Sequence, residues 1–127
     1  MIDFLKELTK ILQGIYPESY FERNQKKKII YPYATFNFDS EAIRRNQDGF
    51  YLDIDIFDQN DSFLNLLTLE DKLKDGLMFN RHLTNTTFLV FSFQGSNKIA
   101  TGDDQLKRRN VRFYVAVDWR NKDYGIS

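Results

Sequence analysis

The sequence predicts an α+β fold in which two helices pack on one face of a four-stranded, mainly antiparallel sheet. Three observations carry this expectation. Apolar residues near the N-terminus and again after residue 62 recur at helical spacing, whereas four other segments alternate apolar and polar residues with a period of two. The segments run in the order α-β-β-α-β-β, and placing both helices on one sheet face is the economical way to bury every stripe. No repeat, low-complexity tract or linker divides the 127 residues, so a single domain over 1–127 is expected.

The first helix follows from Phe4, Leu5, Leu8, Ile11, Leu12 and Ile15, spaced by three and four. Gly14 and Pro17 mark its end, so it covers roughly residues 2 to 13. The polar, basic stretch Glu22 to Lys28 reads as an exposed loop. The first strand is Ile30 to Phe38, with Pro32 at its start or on a sheet edge because it lacks an N–H donor. Asp39 to Gly49 is expected to be a protruding loop carrying Arg44, Arg45 and Asp48. In Phe50 to Asp58 the alternation is clean: Phe50, Leu52, Ile54 and Ile56 share one face, and Tyr51, Asp53, Asp55 and Phe57 share the other.

The polar cluster Asp58 to Ser62 supplies an N-cap for a second helix with the stripe Phe63, Leu66, Leu67, Leu73 and Leu77, ending near Gly76 or a little later. Thr86 to Phe93 reads as the third strand and Gln94 to Gln105 as a loop. In the last strand, Val111 to Trp119, Val111, Phe113, Val115, Val117 and Trp119 lie on one side and Arg112, Tyr114, Ala116, Asp118 and Arg120 on the other. Asn121 to Ser127 reads as a frayed tail.

Composition excludes several classes of function. The absence of Cys rules out disulfide scaffolds, thiolate metal sites and cysteine nucleophiles. The one His, His82, argues against a histidine metal cage or a Ser–His–Asp triad. Its neighbours Asn80 and Arg81 supply no acidic or thiol partner, so it reads as a surface or capped residue without a catalytic role. No apolar run is long enough to cross a bilayer, and the charged, amphipathic N-terminus does not read as a signal peptide. The chain is therefore expected to be cytoplasmic when made, and Asn85-Thr86-Thr87 is an incidental match to a glycosylation sequon. Glycine-rich phosphate-binding motifs are absent as well.

The nearest approach to catalytic chemistry is Asp53-Ile54-Asp55 with Asp58. Carboxylates two apart on a strand share a face and could hold a divalent cation, as in a metal-dependent nuclease. A further acid and a positioned Lys are missing, and the polar side of a half-buried strand explains Asp53 and Asp55 equally well. No catalytic residue, cofactor or metal is assigned.

Basic residues cluster at Arg23 with Lys26 to Lys28, at Arg44-Arg45, and at Lys107, Arg108, Arg109 and Arg112. Acidic residues concentrate at Asp48, Asp53, Asp55, Asp58 and Asp61, and the 18 positive and 18 negative side chains cancel overall. Asp53, Asp55 and Asp118 argue against nucleic acid lying across the sheet. Aromatic residues make up 16% of the chain, and Tyr31, Tyr33, Tyr51, Phe57 and Tyr114 fall on the polar face, where a monomer would favour small or charged residues. Rings and arginines alternating with carboxylates are the makeup of a partner surface, unless helices or loops cover that face. Clusters of opposite sign suit head-to-tail self-association. The candidate contact face comprises Tyr51, Asp53, Asp55, Phe57 and Tyr114, and the candidate basic contact or lumen patch comprises Lys107, Arg108, Arg109 and Arg112.

The layout resembles the tail terminator, or tail completion, proteins of long-tailed bacteriophages and prophages. The likeness rests on the order of a short N-terminal helix leading to Ile15-Tyr16-Pro17-Glu18, the strand Tyr31 to Phe36, the aspartate-alternating strand Tyr51 to Asp58, a Leu-striped helix, and the basic turn into a strand Leu106 to Phe113. The resemblance implies a structural, non-enzymatic subunit forming a ring, commonly a hexamer, that ends tail tube polymerisation. Its implied partners are copies of itself, the tail tube protein and the head connector protein, with DNA passing through the lumen without sequence-specific binding and no membrane involved. Its implied location is the host cytoplasm during assembly and then the head-proximal end of the virion tail. A head-completion or connector adaptor protein of the head–tail interface is the alternative within the same class.

Overall fold

The computed structural model describes residues 2–44, 47–78, 82–83 and 87–119, and side chains within 2–39, 49–78 and 87–119. Helix α1 is Ile2–Ile15, and its stripe buries Phe4, Leu8 and Leu12 completely. Side chains of this kind each stabilise the fold by about 1.5–3 kcal/mol when removed from water. Strand β1 (Ser19–Phe21) follows directly, then β2 (Tyr33–Arg44) and β3 (Gln47–Gln59). Helix α2 (Leu64–Met78) begins where the Ser62 hydroxyl accepts the Leu64 N–H at 2.9 Å, and it buries Leu66, Leu69, Leu73 and Leu77. The two-residue β4 (His82–Leu83), β5 (Thr87–Ile99) and β6 (Leu106–Trp119) complete the described chain.

This architecture corrects the expected one. The sheet is mixed and has more than the four strands expected of a mainly antiparallel sheet. Its order is β1-β2-β3-β6-β5, with β4 added at the β5 edge, and β1 pairs parallel with β2 while the other neighbours run antiparallel. The element order among the described residues is α-β-β-β-α-β-β-β. A three-residue strand has no room for a legible alternation. Contacts from its neighbours hold β1: Gln13 Nε2 donates to the Ser19 carbonyl at 2.9 Å, the Ser19 hydroxyl donates to the Tyr16 carbonyl at 2.7 Å, and Glu22 N–H donates to the Phe36 carbonyl at 2.9 Å.

Three expected loops also prove to be largely strand. Most of Asp39 to Gly49 belongs to the β2–β3 ladder, which runs on through Ser40–Phe50, Glu41–Gly49 and Ala42–Asp48. Residues 94–99 continue β5 past a register shift between Phe93 and Gly95, where Gly95 takes φ 138°. The basic segment at Lys107 to Arg109 is not a turn but the start of β6, paired with Asp58, Phe57 and Ile56 of β3. A backbone ladder does not require apolar side chains, so these polar stretches lacked the signal that alternation reads. Pro32 precedes β2 across a cis Tyr31–Pro32 bond. Arg45, Asn85-Thr86 and the tail Asn121 to Ser127 lie outside the described residues, as do the side chains of Arg44 and His82.

One core holds these elements together. Both helices pack on the sheet face formed by Phe36, Leu52, Ile54, Val115 and their neighbours. Phe4 stacks on Phe50 with centroids 4.2 Å apart and meets Phe38 and Trp119 edge-on at 5.2 and 6.3 Å. The helices approach each other where Gly76 faces the Ile15 side chain. The opposite sheet face therefore carries no helix among the described residues.

Candidate interaction face of the sheet

Strand register builds the helix-free face. Side chains alternate, so burying Leu52, Ile54 and Ile56 leaves Tyr51, Asp53, Asp55 and Phe57 on the other side, half-buried. Antiparallel pairing then sets Tyr114 opposite Tyr51, Arg112 opposite Asp53, Asn110 opposite Asp55 and Arg108 opposite Phe57. Tyr33, across β2, pairs with Phe57 from the other side.

The centre of this face is an ion-pair belt. Arg108 Nη2 lies 3.2 Å from Asp55 Oδ2, and Arg112 Nε lies 3.4 Å from Asp53 Oδ1. Asn110 Nδ2 donates to Asp55 Oδ1 at 3.2 Å and Asp53 Oδ1 at 3.4 Å, bridging the two carboxylates. Exposed pairs of this kind contribute about 0–1 kcal/mol each, so the belt sets charge placement more than stability.

Aromatic rings bracket the belt. At one end Phe57 stacks on Tyr33 at 4.8 Å and 18°, Tyr31 adds to Tyr33 at 5.6 Å, and the Arg108 guanidinium lies 5.3 Å from the Phe57 ring centre. At the other, Tyr51 and Tyr114 meet edge-on at 5.0 Å, with the Arg112 guanidinium 5.1 Å from the Tyr51 centre. Burial pushes the Tyr33 hydroxyl pKa up, with Tyr31 adding to the rise and Arg108 opposing it. The candidate contact residues thus form one surface, and their arginines are shared with its carboxylates.

The candidate basic patch does not form. Arg108 and Arg112 join this face, whereas Lys107 and Arg109 project toward α2. Arg109 Nε meets Glu70 Oε1 at 2.9 Å, and Ser96 Oγ binds both Arg109 Nη2 at 3.0 Å and Glu70 Oε2 at 2.9 Å. Burial favours the neutral Glu70 carboxyl, but hydrogen bonds from Arg109, Ser96 and Lys74 and the nearby Arg109 charge outweigh it. They hold its pKa below the ordinary value. Lys107 Nζ lies 5.5 Å from the Phe63 ring centre. Consecutive strand residues cannot form one patch, because they point to opposite faces.

The three carboxylates considered for a metal are likewise divided. Asp53 and Asp55 are on the helix-free face, engaged by Arg112, Arg108 and Asn110. Asp58 is buried on the helix side, where its Oδ2 accepts from Asn65 Nδ2 at 3.0 Å. Among the described residues no group of three or more His, Cys, Asp or Glu side chains could hold a metal ion.

Sequence reasoning missed the Tyr33–Phe57 stack and the Glu70–Arg109–Ser96 network. The first was accessible in principle, since antiparallel pairing of the two recognised strands brings Tyr33 opposite Phe57. The second joins residues 39 and 26 positions apart, and no local pattern marks it.

No family model matches the chain, and no curated protein sequence does. Among solved structures, it resembles a chain in the virion of a native gene transfer agent particle. That chain is 14% identical, with a TM-score of 0.66 and 90% of each chain covered. The two share a fold along nearly their whole lengths.

Proposed function

We propose that this chain is a structural protein of a phage-like virion, and specifically a tail terminator. Its copies form a ring, a hexamer in this reading, that ends tail tube polymerisation and presents the head connector with a docking surface. DNA passes through the lumen without sequence-specific contacts. The observation that carries the proposal is the helix-free sheet face, where paired charges and large rings form a surface suited to protein contact rather than to chemistry. The fold shared with a gene transfer agent virion chain and the order of elements in the sequence support the same reading.

The test measures the protein's mass in solution and images it by negative stain, with and without a tail tube protein. Rings and tubes of uniform, capped length are expected. A strictly monomeric protein that leaves tube length unchanged refutes the proposal.

A further inference from the structure

The basic cluster at Arg23 and Lys26 to Lys28 takes no part in the interaction face, and the fold gives it a place of its own. Glu22 N–H donates to the Phe36 carbonyl at 2.9 Å, closing the pairing of β1 with β2. Glu22 then takes a left-handed conformation, φ 66°, which turns the chain off the sheet edge. We propose that the loop so presented, residues 23–28, binds the phosphate backbone of double-stranded DNA without reading its sequence. The binding belongs to the single subunit and does not require a ring.

Charge is the first argument. Arg23, Lys26, Lys27 and Lys28 are all exposed, and Glu22 is the one acid within residues 22–28. Among the described residues none of these four cations meets a carboxylate at ion-pair distance, whereas Lys74, Arg108, Arg109 and Arg112 each do. Glu18 attracts Lys26 from a distance, but its carboxylate accepts the Tyr20 hydroxyl at 2.5 Å. The side chains between the cations add order and a donor. Asn24 Oδ1 accepts the Lys26 N–H at 2.9 Å, and Asn24 Nδ2 is buried without a hydrogen-bond partner among the described residues. In the orientation that satisfies its surroundings, the Gln25 amide oxygen accepts from Arg23 Nε at 2.9 Å and Nη2 at 3.2 Å, which holds the guanidinium in place. Arg23, Gln25 and Lys26 wall a cleft of about 660 Å³ beside Tyr20 and Phe21. Fixed donors without acceptors of their own suit oxyanions.

Reach and surroundings select duplex DNA. Extended, residues 23–28 span up to about 17 Å, against phosphates about 3.4 Å apart along the axis in each strand of a duplex. A single small anion would engage only part of this row. The adjoining rings are already engaged: Lys26 Nζ lies 5.5 Å from the Tyr20 ring centre, and Phe21 packs on Phe36 and Phe38 at 5.6 and 5.8 Å. They leave no platform for unstacked bases, which favours a duplex over a single strand. Ile29 and Ile30, 39% and 50% exposed, offer little apolar area for anchoring to a membrane. Asp53 and Asp55, whose charge would repel DNA, lie two strands away from β1 and are matched by Arg112 and Arg108.

The test is fluorescence anisotropy of a labelled duplex of arbitrary sequence, titrated with the free protein at several salt concentrations. Wild type is expected to bind with a dissociation constant of about 1–100 μM and a log–log salt slope of about −2 to −4. A second duplex of unrelated sequence is expected to bind equally. Lys27→Glu with Lys28→Glu is expected to weaken binding about 10-fold or more and to flatten the slope by about 2. The milder Lys27→Gln with Lys28→Gln is expected to act in the same direction. Lys6→Glu with Lys10→Glu, an equal charge change at exposed positions of α1, is expected to shift affinity less than about 2-fold. Circular dichroism checks that each variant keeps the fold. Absence of wild-type binding at low salt, equal weakening by the loop and α1 pairs, or a strong preference for one duplex overturns the assignment. Loop-dependent binding to phosphatidylserine vesicles without binding to DNA also overturns it, in favour of a membrane. Each result is read on the free protein, so it stands whether or not rings form.

Discussion

Gly49 lies near the start of β3, with its Cα facing a neighbour that leaves no room for a side chain. A Cβ built there sits 2.5 Å from Cζ and 3.0 Å from Cε1 of Tyr114, and closer still to the Tyr114 hydroxyl oxygen. Its backbone is not left-handed, so alanine fits the local conformation, and the three nearest obstructing atoms all belong to Tyr114. Gly49→Ala must displace that ring from its edge-on partner Tyr51, 5.0 Å away. The lost aromatic pair costs about 0.5–1.5 kcal/mol. Overpacking adds about 1–3 kcal/mol, and the smaller conformational entropy of the unfolded chain offsets about 0.4–1 kcal/mol. The net expectation is a destabilisation of about 1–3 kcal/mol. In a Tyr114→Ala background the obstruction is gone, and Gly49→Ala should be neutral or stabilising by up to about 1 kcal/mol. Urea unfolding followed by fluorescence of the lone Trp119 measures all four corners of the cycle. Equal costs in both backgrounds would refute the reasoning, because the Tyr114 ring would then not be what excludes a side chain.

Three further outcomes follow from the geometry. The charged form of Glu70 is favoured in the folded state. Its stabilisation is present above its ordinary pKa of 4.5 and is lost as pH falls through the lower folded value. Glu70→Gln should therefore destabilise by about 1–3 kcal/mol at pH 7 and flatten the fall in stability below about pH 4.5, as read by denaturant melts across pH. Phe57→Ala removes the stack on Tyr33 and the Arg108 contact, costing the monomer about 1–2 kcal/mol. A larger loss in assembly than in monomer stability is expected, and equal losses in sedimentation and melting experiments would contradict a contact role for this face. Ile54→Ala, in the fully packed core, should cost about 2–5 kcal/mol in the same melts.

The parts of this fold that the sequence made legible are those where one face is fully buried and the other is not. Phe50, Leu52, Ile54 and Ile56 announce their strand because the core requires an apolar side chain at every second position. Phe4, Leu8 and Leu12 do the same for α1. β1 was illegible because it depends on partners from α1 and β2 rather than on its own residues. Lys107 to Arg109 read as a turn because a charged strand segment, flanked by Glu70 on one face and Asp55 on the other, shows no hydrophobic period. For the candidate face, the membership of Tyr51, Asp53, Asp55 and Phe57 was legible from alternation. Their pairing with Arg108, Asn110 and Arg112 was not, because it depends on how β3 and β6 align across more than fifty residues.

The irregularity at Gly95 has a consequence for the whole far half of β5. Before it, the odd-numbered Phe91 sits opposite Val115 on the helix side; after it, the even-numbered Ser96 sits opposite Val111 on that side. The strand thus carries two phases joined by a one-residue slip. Ser96 reaches Glu70 and Arg109 only in the second phase. Deleting residue 94 would remove the extra residue and leave 95–99 on their present partners and faces. Straightening the strand at its full length would instead turn 96–99 over and carry Ser96 away from Glu70, so the bulge acts as a switch of sidedness.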